Sequence, residues 1–361
     1  MFRILVQVFF LGLFSASAIA EQVPARFAKT DLQEKALFAD SDHMVLGAAK
    51  LGAFHGDVMP IEPAIKELSP VPQFPPISDR SPLASGLSID ERLDRLFVRR
   101  DGSDLSGYDG KQFIEQSFAV RWDLAAVVGG ISIFGIAKWN WGSSDFKFNS
   151  EGWFGEDTGS LGMDKLGHAF TTYLLTEYLT QRILQESADP RGTTLTAAGL
   201  AMGVFTYVEV LDGFSSDHGF SVEDLVADAA GATFSILRST VPGLAGKLDF
   251  RMEYMPSGND SISPVSDYSG QKYLLALKLA GFEPIADTPL RVVELQAGYY
   301  ARGFTDNERQ NGDERRREPY VAIGFNLQEL FGKPGTITAL MAQRGLEYVQ
   351  VPYTYVATSQ Q

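Results

Sequence analysis

Cysteine is absent from all 361 residues of the chain. Its absence excludes disulfides, a thiol nucleophile, cysteine-ligated metals and a cysteine-linked lipid anchor within this sequence. Basic residues are also few: 31 lysines and arginines stand against 45 aspartates and glutamates, which gives a net charge of −14. Nucleic acids and anionic membrane surfaces bind clustered cations, so this balance disfavours both as partners. The densest run of arginines, in Asn307–Pro319, alternates with acidic residues and predicts a solvated loop.

Several catalytic motifs are missing as well. The sequence has no nucleophile elbow, no zinc-protease helix and no glycine loop that would hold a phosphate. Its longest charge-free apolar run within a predicted helix is about 14 residues, against the roughly 20 that cross a bilayer squarely. This length favours buried core helices, although helices that are apolar on every face also suit a membrane-embedded bundle. Both arrangements stay open at this stage.

The first twenty residues have the three parts of a secretory signal. A basic Arg3 precedes the apolar run Ile4–Phe14, and small residues lead to Ala20. The pattern predicts cleavage after Ala20, with an uncleaved membrane anchor as the alternative. Export of a chain without cysteine indicates a Gram-negative envelope protein that is periplasmic or membrane-associated.

The rest of the chain divides by composition into three regions. Residues 21–85 are rich in proline and predict an extended segment or linker, because proline is excluded from helix interiors. Residues 86–245 predict a helical domain that opens with a short helix capped by Ser88. Residues 246–361 predict a strand-rich region. The expected fold class is therefore α+β, with a bundle of about four mostly apolar helices and a small C-terminal antiparallel β-meander. The helices are expected near Val120–Trp139, Lys165–Leu184, Thr194–Leu211 and Val222–Leu237.

Alternating apolar residues predict strands after the helical region. In Val293–Ala301, the odd-numbered residues are apolar, and Val321, Ile323, Phe325 and Leu327 continue the pattern in a second segment. We expect these side chains to form the buried face, with Thr305–Pro319 as a hairpin loop between the two strands. Tyr273–Phe282 is a weaker third strand.

Charged residues interrupt the apolar helices at regular positions. Asp164 and His168 are four residues apart, and Asp224, Asp228, Gly231 and Ser235 follow one helical stripe. Glu209 and Asp212 lie at the C-terminal end of the third predicted helix, where negative charge opposes the helix dipole. We expect these groups to converge inside the bundle, since an unpaired buried charge costs several kcal/mol.

Simpler roles exist for some of these residues. Asp164 could cap its helix, Ser221 and Asp224 match a capping box, and Lys165 could pair with Glu209 or Asp228 as a structural bridge. Capping does not account for His168, Glu209 and Asp228, which lie within their helices. These three are the candidate catalytic residues, and Asp164, Lys165, Asp212, Ser221 and Asp224 complete the predicted polar cluster.

Three separated blocks in this region carry a resemblance. They are Asp-Lys-x-x-His at 164–168, then Glu209 and Asp212, then Ser221 with Asp224, Asp228 and Gly231. The pattern resembles a YfiM-like family of predicted periplasmic lipoproteins of unknown function and, more distantly, VanZ-like membrane proteins. The resemblance covers about residues 118–237 and implies an envelope location without implying a reaction.

Two classes of function are compatible with the cluster. The first is a structural or binding role in the envelope, with an envelope lipid, a cell-wall precursor or an envelope protein as partner. The second is a hydrolase of an envelope lipid or phosphoester, in which His168 acts with a carboxylate as an acid–base pair or binds a divalent metal. The candidate metal ligands are His168, Glu209, Asp212 and Asp228, a set rich in oxygen with one imidazole.

Overall fold

A computed structural model describes residues 105–187, 189–257, 264, 267–330 and 342–358. The predicted signal sequence, the proline-rich segment and the short helix after Ser88 lie outside these residues. The long helices are α1 Gly110–Ala119, α2 Arg121–Lys138, α3 Met163–Glu186, α4 Thr193–Asp212 and α5 Val222–Thr240. Short helices occur at Leu244–Lys247, Glu283–Ala286, Asp306–Gln310 and Leu327–Leu330.

Helix α3 is the centre of the helical unit. Its C-terminal half packs through Leu175, Leu179 and Ile183 against small side chains of α4 such as Ala197 and Ala201. Its N-terminal half instead packs against the sheet. One helix therefore contributes to two apolar cores, which accounts for apolar residues on nearly all of its faces.

The bend between α1 and α2 measures 68°. It lies at Val120, which is fully buried, while the Asp109 side chain accepts a hydrogen bond from Gln112 N and begins α1. Among the described residues, α4 is long and apolar enough to cross a membrane, and the α1–α2 pair would be a second span if counted as one bent helix. Buried residues make up 44% of the α4 window, and the same length and hydropathy also occur in core helices.

The C-terminal region forms a five-stranded antiparallel sheet in sequence order. Its strands are β1 Leu248–Tyr254, β2 Gln271–Lys278, β3 Val293–Arg302, β4 Arg316–Phe325 and β5 Tyr355–Ala357. The predicted α+β class is confirmed, with five strands rather than about three. The predicted loop at Thr305–Pro319 is shorter than expected, because β4 already begins at Arg316. The connection also contains a short helix, Asp306–Gln310. Residues near Val349 pair with the free edge of β1.

The predicted buried face is correct only at the end of β3, where Ala301 is buried and Tyr299 packs beside it against the helical core, and it is wrong for the rest of β3 and for β4. Val321, Ile323 and Phe325 are 55–62% exposed, and Leu295 is 44% exposed, while Glu294, Gln296 and Tyr320 are buried. An alternating pattern identifies two faces of a strand but does not say which of them is covered. Here the inner face combines polar side chains such as Glu294 and Gln296 with an apolar cluster that includes Leu274 and Tyr320.

Candidate functional site

The polar stripe of α5 faces α3 along its length. Asp224, Asp228, Gly231 and Ser235 are all buried. Gly231 permits this approach, because a Cβ there would lie 1.9 Å from the carbonyl oxygen of Ala169. The two helices are therefore close enough for short carboxylate side chains of α5 to reach groups on α3.

His168 lies where three carboxylates converge. Its Nδ1 is 3.3 Å from Asp228 Oδ1 and 3.8 Å from Glu209 Oε1, and its Nε2 is 3.6 Å from Asp224 Oδ1. Thr172 Oγ1 donates to the same Asp228 oxygen at 2.7 Å. The structure thus brings together the three residues predicted as catalytic and adds Asp224 to them.

Lys165 neutralises a neighbouring group of acids. Its Nζ lies 2.8 Å from carboxylate oxygens of Glu151, Asp164 and Asp224. It does not pair with Glu209 or Asp228, which corrects the expected bridge. Asp164 does not cap α3 either, since the N-cap is Gly162 and has no side-chain hydrogen bond. Ser221 accepts from Asp224 N as expected, but the Asp224 carboxylate bonds to Lys165 rather than closing a capping box.

Glu209 and Asp212 leave the end of α4 in different directions. Glu209 points into the cluster, where its Oε2 accepts from the backbone N–H of Ser221 at 3.1 Å. Asp212 accepts from Trp141 Nε1 at 2.7 Å. Asp212 therefore has a structural partner of its own on the chain that follows α2.

Burial and charge shift the pKa values in this cluster. Burial alone would lower the pKa of His168, but the hydrogen bond to Asp228 and the charges of Asp224 and Glu209 outweigh it and raise the pKa to about 10. Burial raises the pKa of Glu209 to about 8, although His168 opposes the shift. Burial alone would also lower the pKa of Lys165, but the charges of Asp164 and Asp224 outweigh burial, and the pKa is raised. Without another cation, the cluster therefore holds protons that the isolated side chains would release near neutral pH.

Negative charge exceeds positive charge at this site. Lys165 is shared among three acids, so within the described part of the chain Glu209 and Asp228 have only His168 as a cationic partner. Asp228 is fully buried, and its Oδ2 has no hydrogen-bond partner among the residues that the structure describes. An unpartnered buried carboxylate oxygen is costly and points to a further cationic group.

One subset of these residues has the spacing of a metal site. Ligand atoms of His168, Glu209 and Asp224 lie within 4.8 Å of one another. Asp228 is next to this subset through its bond to the imidazole. Glu151, Asp164 and Asp224 form a second subset with the same spacing, but Lys165 lies 2.8 Å from each of these acids and supplies the positive charge there.

Sequence reasoning missed three contributors. Thr172 follows His168 by four residues, so helical spacing alone could have identified it. Glu151 and Trp141 come from the chain between α2 and α3, where no periodic pattern predicts which side chain turns inward.

Only part of the cluster reaches the surface. The His168 side chain is 21% exposed, whereas those of Glu209, Asp224 and Asp228 are between 0% and 5% exposed. These four side chains could bind a small ion with little change in their positions. A hydrolase of a large lipid would need at least two of these carboxylates accessible.

The segment that holds the site is similar to a family of unknown function. Residues 150–240 match the family model described as predicted periplasmic lipoprotein (DUF2279). This range covers α3, α4 and α5 together with Glu151, and so all the charged residues described around His168 and Lys165. The match supports an uncharacterised envelope family and is consistent with an exported, envelope-associated protein. No curated protein and no solved structure matches the chain.

Proposed function

We propose that this envelope protein binds a divalent transition-metal cation through His168, Glu209 and Asp224. The observation that carries the proposal is the convergence of these three ligand groups within 4.8 Å beside the unpartnered Asp228 oxygen. One imidazole with carboxylates suits Zn²⁺ or Mn²⁺ better than Mg²⁺ or Ca²⁺, which prefer oxygen ligands alone. The finer resemblance to YfiM-like and VanZ-like proteins stays a prediction.

Asp228 would position the imidazole. A neutral histidine that donates Nδ1–H to a carboxylate presents its Nε2 lone pair to a metal, an arrangement common in metal sites. His168 Nδ1 is 3.3 Å from Asp228 Oδ1, and Nε2 faces Asp224. A bound cation would also replace the protons that His168 and Glu209 otherwise retain.

The test is calorimetric titration of the chelator-treated full chain with Zn²⁺ and with Mn²⁺. We expect one site per chain, and at least a hundredfold weaker binding in Glu209→Gln. Glu223→Gln is the matched control, because this carboxylate precedes Asp224 on the same helix but bonds to Ser150 near the surface. Equal binding by both variants, or no binding by the parent chain, would refute the proposal.

A hydrolase acting on an envelope lipid or phosphoester is the second candidate. The observation that favours it is the hydrogen bond between Asp228 and a partly exposed His168, which can act as an acid–base pair. Turnover of a model phosphodiester by the parent chain, lost in His168→Ala and retained in Glu223→Gln, would support this activity. Absence of turnover together with intact metal binding would support the binding role and contradict the hydrolase.

A further inference from the structure

The outer face of the sheet is apolar, and the described residues cover only part of it. Leu275, Ala297 and Val321 form one cross-strand row. Leu295, Ile323 and Val356 form the next row. The five larger side chains are between 42% and 70% exposed. Aligned aliphatic side chains on four neighbouring strands make a continuous patch, unlike the scattered apolar residues found on most protein surfaces.

The opposite face of the same strands is buried and carries a charged network beside the apolar cluster of Leu274, Ala276, Tyr300, Tyr320 and Ala322. Arg251 lies 2.8 Å from Glu294 Oε1 and 2.8 Å from Asp249 Oδ2. Gln296 and Gln350 complete the network, and all five side chains of this network are at most 4% exposed. A sheet with one face in water normally shows the reverse arrangement, with apolar side chains inside. A charged network on the buried face with aliphatic side chains on the exposed face resembles the arrangement in strands that face lipid.

The uncovered patch continues an interface that already exists. On β1 and the start of β2, the same outer face packs through Phe250, Met252 and Tyr273 against α3 residues such as Phe170. On β2 the contacts with α3 end at Tyr273, and Leu275, the next outward residue, is exposed. The described helices therefore cover one part of a single apolar surface.

We propose that this uncovered face docks on the lipid surface of a zwitterionic bilayer. Strands about 4.8 Å apart and a rise of about 3.3 Å per residue give the six residues of the patch an area of roughly 200 Å². A stable protein partner usually covers about 800 Å² on each side, so a second copy of the chain fits poorly. The outward residues in these rows include no charged side chain, so binding depends on burial of apolar surface and requires no anionic lipid.

The cysteine-free chain makes a direct test simple. A single cysteine introduced by Ile323→Cys carries an environment-sensitive fluorophore, and Asp306→Cys, at an exposed polar position, is the control. Vesicles of phosphatidylcholine and phosphatidylethanolamine are then added to the full chain. We expect a blue shift for the label at position 323 alone, with no dependence on salt or on added phosphatidylglycerol. No shift with any vesicle would overturn the proposal.

Unlabelled variants separate lipid docking from other occupants. Val321→Ser with Ile323→Ser should reduce co-sedimentation with the same vesicles at least tenfold. Val222→Ser with Val226→Ser, which changes exposed valines on α5, should leave it unchanged. A blue shift that depends on protein concentration without vesicles would instead assign the face to a second copy. Without vesicles, emission from the label at position 323 that is blue-shifted at every protein concentration, relative to the label at position 306, would show that a part of this chain outside the described residues covers the face.

Discussion

Gly231 lies against the backbone of Ala169, with no room for a side chain between the two helices. A Cβ at position 231 would be 1.9 Å from the Ala169 carbonyl oxygen and 2.7 Å from the carbonyl carbon. This contact holds α5 against α3 one turn after Asp228, the residue that bonds to His168. The close approach of the backbones is therefore part of how the polar site is built.

Gly231→Ala should destabilise the protein by about 1–3 kcal/mol, because α5 must move away from α3 to accommodate the methyl group. Gly203→Ala is the control, since no atom lies within 4 Å of a Cβ at that helical position. It should be neutral or stabilising by about 0.5–1 kcal/mol. Chemical denaturation followed by circular dichroism measures both, and equal stability of the two variants would contradict the packing described.

Lys165→Met should cost about 3–5 kcal/mol in unfolding free energy, because removing one partner leaves the other buried charges without compensation. Glu151, Asp164 and Asp224 would all lose the ammonium that lies 2.8 Å away. The control is Lys111→Met, whose exposed pair with Glu115 should contribute less than about 1 kcal/mol. Similar denaturation midpoints for the two variants would show that Lys165 is not a structural counter-ion.

Asp228→Asn should keep the fold, because the amide oxygen can still accept the hydrogen bond from Thr172. It should weaken cation binding about 10- to 100-fold, the usual cost of losing the carboxylate that orients a metal-bound histidine. Calorimetry and thermal unfolding of the same samples distinguish the two effects. A large loss of stability with unchanged cation affinity would assign the cluster a purely structural role.

Acid should weaken the junction between helices and sheet through Glu347. Burial alone would raise its pKa, but the charges of Arg344, Lys278 and Arg238 outweigh it and lower the pKa from 4.5 to about 2. A carboxyl whose pKa is lower in the folded state stabilises the fold above its unfolded pKa, and this contribution is lost as pH falls towards the folded pKa. We expect unfolding free energy to decline between about pH 4.5 and pH 2.

Glu347→Gln should flatten that decline, while Glu156→Gln, at an exposed ion pair with Arg317, should not. Urea denaturation at a series of pH values gives the comparison. Parallel curves for Glu347→Gln and the parent chain would show that this carboxyl does not control acid stability.

The class of the fold could be predicted because it depends on local periodicity. Helical spacing identified α2 to α5, and the stripe from Asp224 to Ser235 correctly indicated a polar side facing another helix. The covered face of the sheet could not be predicted in the same way. It depends on pairs such as Arg251 with Glu294, which are 43 residues apart in the chain.

The candidate site could be predicted to a similar extent. Positions within one helix, such as Asp164 and His168, have fixed relative directions, so their approximate convergence followed from spacing. The pairing of Lys165 with Glu151 could not be predicted, because Glu151 lies in a loop. That Asp224 rather than Asp212 lies beside His168 could not be predicted either, because Asp212 bonds to Trp141 instead. Neither contact has a periodic signal in the sequence.

Locating the cation in a crystal would test the proposed metal site. Crystals of the full chain grown with Zn²⁺, measured above and below the zinc absorption edge, would show the metal in an anomalous difference map. We predict one strong peak about 2 Å from a nitrogen of His168 and from oxygens of Glu209 and Asp224. A map with zinc bound elsewhere, or with no peak at this site under saturating zinc, would contradict it.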